Sequence, residues 1–233
     1  MDIVLIPGLW LDGSSWADVV PALEAAGHRP HPVTLPGMES RDADRSTITL
    51  RDQVQAVIDV IDTIAPPGKV VLAGHSGGGA IAYAATDARP ERVDRVIYVD
   101  SFPLGEGSVI NDELPVVGGE IPLPDWSAFE PEDLVDLDEE KRQAFRRRAL
   151  PAPARVATDR QQLSDERRYD VPATIIACEF TGDMLRGWIA NEPGLAELTR
   201  IRSLDIVELP TGHWPQFTKP NELAATILRV VGD

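Results

Sequence analysis

At 233 residues, 43% of them hydrophobic, the chain is long enough to bury one substantial core, and no compositional break divides it into independent halves. Its formal charge of -16 excludes nucleic acid and anionic membranes as expected partners, because both repel such a surface. The single cysteine, Cys178, follows the apolar run Ala173-Thr174-Ile175-Ile176-Ala177, so no intramolecular disulfide can form and a small buried hydrophobe is its expected role.

The chain opens on the strand-like run Asp2-Ile3-Val4-Leu5-Ile6, without a basic region leading into a long apolar stretch. No signal peptide or membrane span is visible, and a cytoplasmic location is expected. Short β-rich runs are predicted at 3–6, 31–35, 69–73, 93–99, 172–178 and 204–209. Helix-like segments from Trp16 to Ala26, Leu50 to Ile64, Gly79 to Ala88 and Met184 to Leu198 fall between them, and a last helix opens at Pro220 and runs through Leu228. Such alternation predicts an α/β fold, a six-stranded, mostly parallel sheet with helices on both faces.

Residues 101–170 break the rhythm with many prolines, the pair Gly118-Gly119 and a charged segment from Glu130 to Leu150. There Glu132, Asp133 and Asp138 to Glu140 precede Arg142 and Arg146 to Arg148, an order that suits helix dipoles. A helical cap is expected over 101–170, with 1–100 and 171–233 forming the core domain.

The sharpest signal is Gly74-His75-Ser76-Gly77-Gly78, between the apolar run ending at Ala73 and the helical run starting at Gly79. A serine flanked by glycines where strand becomes helix is a nucleophile elbow: the chain turns through strained angles, and the glycines let strand and helix approach closely. A phosphate loop fits less well, because neither Gly-x-x-x-x-Gly-Lys-Ser/Thr nor Gly-x-Gly-x-x-Gly is present. Late in the chain, His213 lies in Leu209-Pro210-Thr211-Gly212-His213-Trp214-Pro215, a loop after a strand. A hydroxyl nucleophile needs a base near neutral pH, and His213 is the expected one. His28 and His31 flank Pro30 near a strand entry, and His75 is expected to pack within the elbow.

Strand, elbow, inserted cap and late histidine together resemble the α/β-hydrolase superfamily over nearly the whole chain. The segment from Pro7-Gly8-Leu9-Trp10 to Trp16 is similar to the start of small bacterial esterases related to the plant methylesterase and hydroxynitrile lyase group, although Pro7 stands where many members have histidine. The resemblance implies a sheet lacking the superfamily's first two edge strands, and a site at the switch point beside the 3–6 and 69–73 strands. It also implies an oxyanion hole from the amides of Leu9 and Gly77. Two strand-end aspartates compete as the acid. Asp183 stands where most members place it but would also serve as a helix N-cap, whereas Asp100 has no comparable local role and is preferred, with Asp183 as the alternative.

The expected activity is cleavage of a small or medium, partly apolar ester through an acyl-enzyme on Ser76, with no metal and no organic cofactor. Trp10, Phe102, Leu104 and Trp214 are the candidate pocket residues, while packing is at least as good an explanation for Trp126 and Phe129. A hydroxynitrile-type lyase is a weaker alternative, since those enzymes need a lysine where Trp214 stands. The other alternative is a sensing protein that keeps the fold and binds a small molecule with little turnover. No heptad or exposed apolar stripe marks an oligomer interface.

Overall fold

In the computed structural model, which describes residues 1–64, 68–191 and 195–232, eight strands and nine helices occur among the described residues. The strands are β1 (Asp2–Ile6), β2 (Arg29–Pro32), β3 (Val70–His75), β4 (Val93–Val99), β5 (Glu120–Ile121), β6 (Ala152–Pro153), β7 (Ala173–Ala177) and β8 (Leu204–Glu208). The helices are α1 (Val20–Ala25), α2 (Leu50–Thr63), α3 (Gly77–Ala88), α4 (Glu139–Arg148), α5 (Ala154–Thr158), α6 (Gly182–Asn191), α7 (Ala196–Arg200), α8 (Pro215–Thr218) and α9 (Pro220–Val231). Six strands form one sheet in the order β2-β1-β3-β4-β7-β8, and every pairing within it is parallel.

Alternation along the strands assigns the two faces. Val4, Ile6, Leu72 and Tyr98 pack with Val57 and Ile61 of α2 and Ile81 of α3 on one side. Ile3, Leu5, Val71 and Ile97 pack with Leu23 of α1 and Leu223 and Ile227 of α9 on the other. Because both faces are covered, β1, β3 and β7 are buried at every position, and this is why they read as unbroken apolar runs.

The edge strand β2 begins two residues before its expected position. The cause is Asp2, whose carboxylate accepts from Arg29 at 2.9 and 2.6 Å and pairs with His31 at 2.8 Å. Those bonds fix the register Asp2↔Arg29 through Leu5↔Pro32, and the prolines are tolerated because the strand has a free edge. The segment expected as one helix from Met184 to Leu198 contains α6 and α7; residues 192–194 lie outside the described residues. Of the stretch expected as a helix from Trp16 to Ala26, Trp16 ends a 3-10 turn, Gly13–Trp16, and the helix itself is the shorter α1.

Within the 101–170 excursion, α4 has the expected charge order: the Asp138 side chain caps the amide of Lys141 at 2.9 Å, Glu139 and Glu140 open the helix, and three arginines close it. The excursion is not helical throughout, for β5 and β6 pair antiparallel in it. Ile121, Leu137 and Phe145 from this region pack with Trp10 and Trp214, so it closes over the loops that follow β1 and β8. No helix among the described residues is long and apolar enough to cross a membrane.

The approach of α3 to β1 and β3 is set by two glycines. A Cβ on Gly78 would lie 2.6 Å from the carbonyl oxygens of both Ile6 and Pro7, and one on Gly74 would collide with the carbonyl of Gly78. Gly78→Ala is therefore expected to destabilise the fold by about 1–3 kcal/mol through overpacking. Urea unfolding reads this directly, and an unchanged midpoint would show that the helix can retreat without cost.

Candidate active site

At the end of β3 the backbone enters Ser76 with φ 52° and ψ -127° and leaves it as the first turn of α3. A serine held in this sparsely populated region stands clear of both strand and helix. The turn is locked by the Ser76 amide donating to Val99 O (3.2 Å) and by the Ser76 carbonyl accepting from Gly79 N (2.9 Å) and from the Ser101 hydroxyl (2.5 Å). Ser101, at the end of the neighbouring strand, carried no motif signal in the sequence.

His213 reaches the same place from the loop after β8. Its Nε2 accepts from the Ser76 hydroxyl at 2.9 Å, and its Nδ1–H donates to Asp100 Oδ2 at 2.7 Å. Asp100 follows β4 with φ 46°. Its other oxygen, Oδ1, accepts from the amides of Cys178 (3.0 Å) and Glu179 (3.3 Å) at the end of β7. Burial works against the charge of Asp100, but the bond and charge of His213, with the Glu179 side chain and the Cys178 amide, outweigh it and hold the carboxyl below its ordinary range. Asp183 is elsewhere: its side chain is 93% exposed and pairs with Arg186 at 2.9 Å. It does not cap α6 either, because the Thr181 hydroxyl accepts from Met184 N at 3.2 Å.

His75, expected to pack within the elbow, also supports the His213 loop. It is fully buried, its Nε2–H donates to the His213 carbonyl at 2.6 Å, and its Nδ1 accepts from the Gln216 amide at 3.2 Å. These partners require the neutral ring, and burial together with the His213 charge pushes its pKa down to about 3. From above, Gly212 N donates to Val135 O at 3.0 Å and His213 N to Asp133 O at 2.9 Å.

The model of the alpha/beta hydrolase family matches residues 3–226. The chain belongs to that family. Among curated relatives it is 25% identical to methylesterase 9 of Arabidopsis thaliana over 258 residues, covering 97% of this chain and 96% of that protein. It is 34% identical to polyneuridine aldehyde esterase of Rauvolfia serpentina over 101 residues, 42% of this chain and 38% of that protein. Against several such relatives, then, the matched stretch spans only about a third of their length. The solved structure of an extracellular alpha/beta-hydrolase from a Paenibacillus species has the same fold, with a TM-score of 0.79 at 20% identity over 100% of each chain.

In this hydrolase, Ser76, Asp100 and His213 line a cavity of about 830 Å³ together with Leu9, Trp10, Gly77, Phe102 and Leu104. Gly77 begins α3, so its N–H has no intrahelical acceptor. Trp10 adopts φ 66°, held by its indole donating to Ile121 O (3.1 Å) and its carbonyl accepting from Leu150 N (3.0 Å). Trp214 does not line the cavity. With the neighbouring imidazole turned to Ser76, the Trp214 ring points the other way, 1% exposed, into an aromatic cluster with Trp126, Phe129 and Phe145. Trp126 belongs to that packing, whereas Phe129 takes part in it and also faces the cavity.

Sequence reasoning missed Asp133, Trp188 and Glu179 in the lining. Glu179 Oε1 lies 2.8 Å from His213 Nδ1, as near as Asp100, yet makes no aligned hydrogen bond. Asp100, Glu179 and His213 place three donor atoms within 4.8 Å of one another. Both ring nitrogens are already engaged within the protein, Nδ1 by Asp100 and Nε2 by Ser76. Cys178 is buried, and desolvation pushes its thiol far above the ordinary range, as expected for a packing residue.

The bond from His75 to the His213 carbonyl yields a stability prediction. His75→Leu leaves that carbonyl and the Gln216 amide without their partner, and unfolding free energy is expected to fall by about 1–3 kcal/mol. Chemical denaturation measures it, and a fully stable variant would show the bond to be dispensable.

Proposed function

We propose that the protein is a serine esterase in which Ser76 is the nucleophile, His213 the general base and Asp100 the orienting acid. The observation that carries this is the continuous chain Ser76 Oγ to His213 Nε2 (2.9 Å) and His213 Nδ1 to Asp100 Oδ2 (2.7 Å), with the serine raised on a strained elbow. Ser76 Oγ attacks the ester carbonyl while its proton passes to Nε2. The resulting oxyanion is held by the amides of Leu9 and Gly77, the alcohol leaves with the proton from Nε2, and the acyl-enzyme remains. Water then gives its proton to His213 and attacks the acyl carbon, so the acid is released and Ser76 is restored. Asp100 keeps the ring in the tautomer that presents Nε2 and stabilises the imidazolium.

Residues 101–170 act as a cap over this site, and the substrate is a small or medium ester with an apolar part. Supporting this, the cavity lining combines Trp10, Phe102, Leu104, Phe129 and Trp188 with the acidic Asp133 and Glu179, and includes no lysine or arginine among the described residues. The methylesterase and esterase names of the relatives point the same way. With its charge of -16 the protein works on small molecules rather than nucleic acid or anionic membranes, in the cytoplasm.

Labelling with a fluorophosphonate followed by peptide mapping tests the nucleophile: modification is expected at Ser76, and a folded protein that stays unlabelled would favour ligand sensing over turnover. Asp100→Asn should lower ester turnover by roughly four orders of magnitude, and Asp183→Asn should leave it unchanged; the opposite pattern in initial-rate assays would move the acid to Asp183. An aryl ester bearing a free carboxylate should show kcat/KM about tenfold or more below its neutral counterpart, because the acidic lining repels it. Equal values for the two would discard the substrate reading.

A further inference from the structure

We propose that Glu179 is a positioning residue of this site: its carboxylate competes with Asp100 for the one Nδ1 proton of His213, and its charge sets the pH at which the imidazole becomes a free base. The inference rests on His213 being the base. Two carboxylates face a single N–H, Asp100 Oδ2 at 2.7 Å in line and Glu179 Oε1 at 2.8 Å out of line. The Oε1 atom is buried and has no aligned hydrogen bond, although its backbone amide donates to Asp100 Oδ1. The two acids are therefore built as one unit, with the end of β7 holding Asp100 through its amides and directing a second carboxyl at the same ring nitrogen.

The remaining groups around the ring do not cancel this charge. His75, from the end of β3, is neutral and committed to the His213 carbonyl. Asp133, from the excursion, adds another acid to the cavity wall. Cys178 is a protonated thiol. Lys219 donates to Pro210 O at 2.6 Å and pairs with Asp136 at 3.5 Å. Burial, opposed by His213 and reinforced by Asp100, raises Glu179 to about 7, so its charge changes near neutrality. Burial would lower His213, but the two carboxylates together raise it well above the ordinary histidine range.

The sign follows directly. An anion beside Nδ1 favours the imidazolium, and an imidazolium cannot take the Ser76 proton. Removing that anion frees the base at lower pH, so the acidic limb of kcat/KM moves down in Glu179→Gln. NMR titration of the His213 ring in the full-length protein tests this without reference to turnover. In the wild type the midpoint should lie well above the ordinary value of about 6.5. In Glu179→Gln it should fall by about one unit or more, giving about ten times more free base on the acidic limb. Glu179→Asp, which keeps the charge, should stay near the wild type.

A wild-type midpoint at about 6.5 would overturn the proposal, as would a Glu179→Gln midpoint equal to that of the wild type. The wild-type measurement can overturn the proposal even if the variants fold poorly. Should the midpoints move as stated while no ester or fluorophosphonate reacts at Ser76, the role of Glu179 stands and the esterase reading fails.

Discussion

The structure depends on how closely α3 can sit against β1 and β3. Gly78 lies where any side chain would strike the carbonyls of Ile6 and Pro7, and Gly74 lies where it would strike Gly78. With helix and strands this near, the one residue between them has to rise above the sheet, and Ser76 takes φ 52° to do so. Two further non-glycine residues at carboxyl ends of the sheet adopt positive φ, Trp10 after β1 and Asp100 after β4. Three such residues on one rim concentrate strain at the site, and the covered core beneath keeps them there.

Ser76, His213 and Asp100 are fixed by bonds that are mostly not their own. His75, buried below, holds the carbonyl of His213, and Asp133 and Val135 hold its loop from above. Asp100 is held by the amides of Cys178 and Glu179, from a strand that the sequence separates from it by the whole excursion. If His213 is the base proposed above, it needs such support, since a small misplacement would cost much of the proton-transfer rate.

Much of this could be read from the residues. The parallel sheet was legible because both faces are covered, so β1, β3 and β7 carry unbroken apolar runs. Ser76 was legible because its strained turn demands glycines; following a strand pointed to His213 but did not separate Asp100 from Asp183, and only the bond to His213 Nδ1 distinguishes the two. The position of β2 was not, since its start is set by Asp2 gripping Arg29 and His31, a contact across 27 and 29 residues. The direction of Trp214 was hidden as well, for adjacency in sequence to His213 suggested the cavity while the loop geometry turned the ring into the aromatic cluster. Glu179 escaped notice because its importance comes from Asp100 and His213 converging on it, and a lone glutamate after a strand carries no local mark. The short pair β5 and β6 has no periodicity to announce it at two residues each.

The tie between the excursion and the His213 loop has a consequence for how the cavity can be entered. Gly212 lies so close to residues 133–135 that a Cβ there would sit 2.7 Å from Val135 O, and two backbone bonds join the segments. A gate that swung open at this seam would carry the imidazole away with it. A way in that leaves the bond between Ser76 and His213 intact must therefore lie away from this seam, along a part of the lining such as Trp188 or Leu195 that no backbone bond among the described residues ties to the His213 loop.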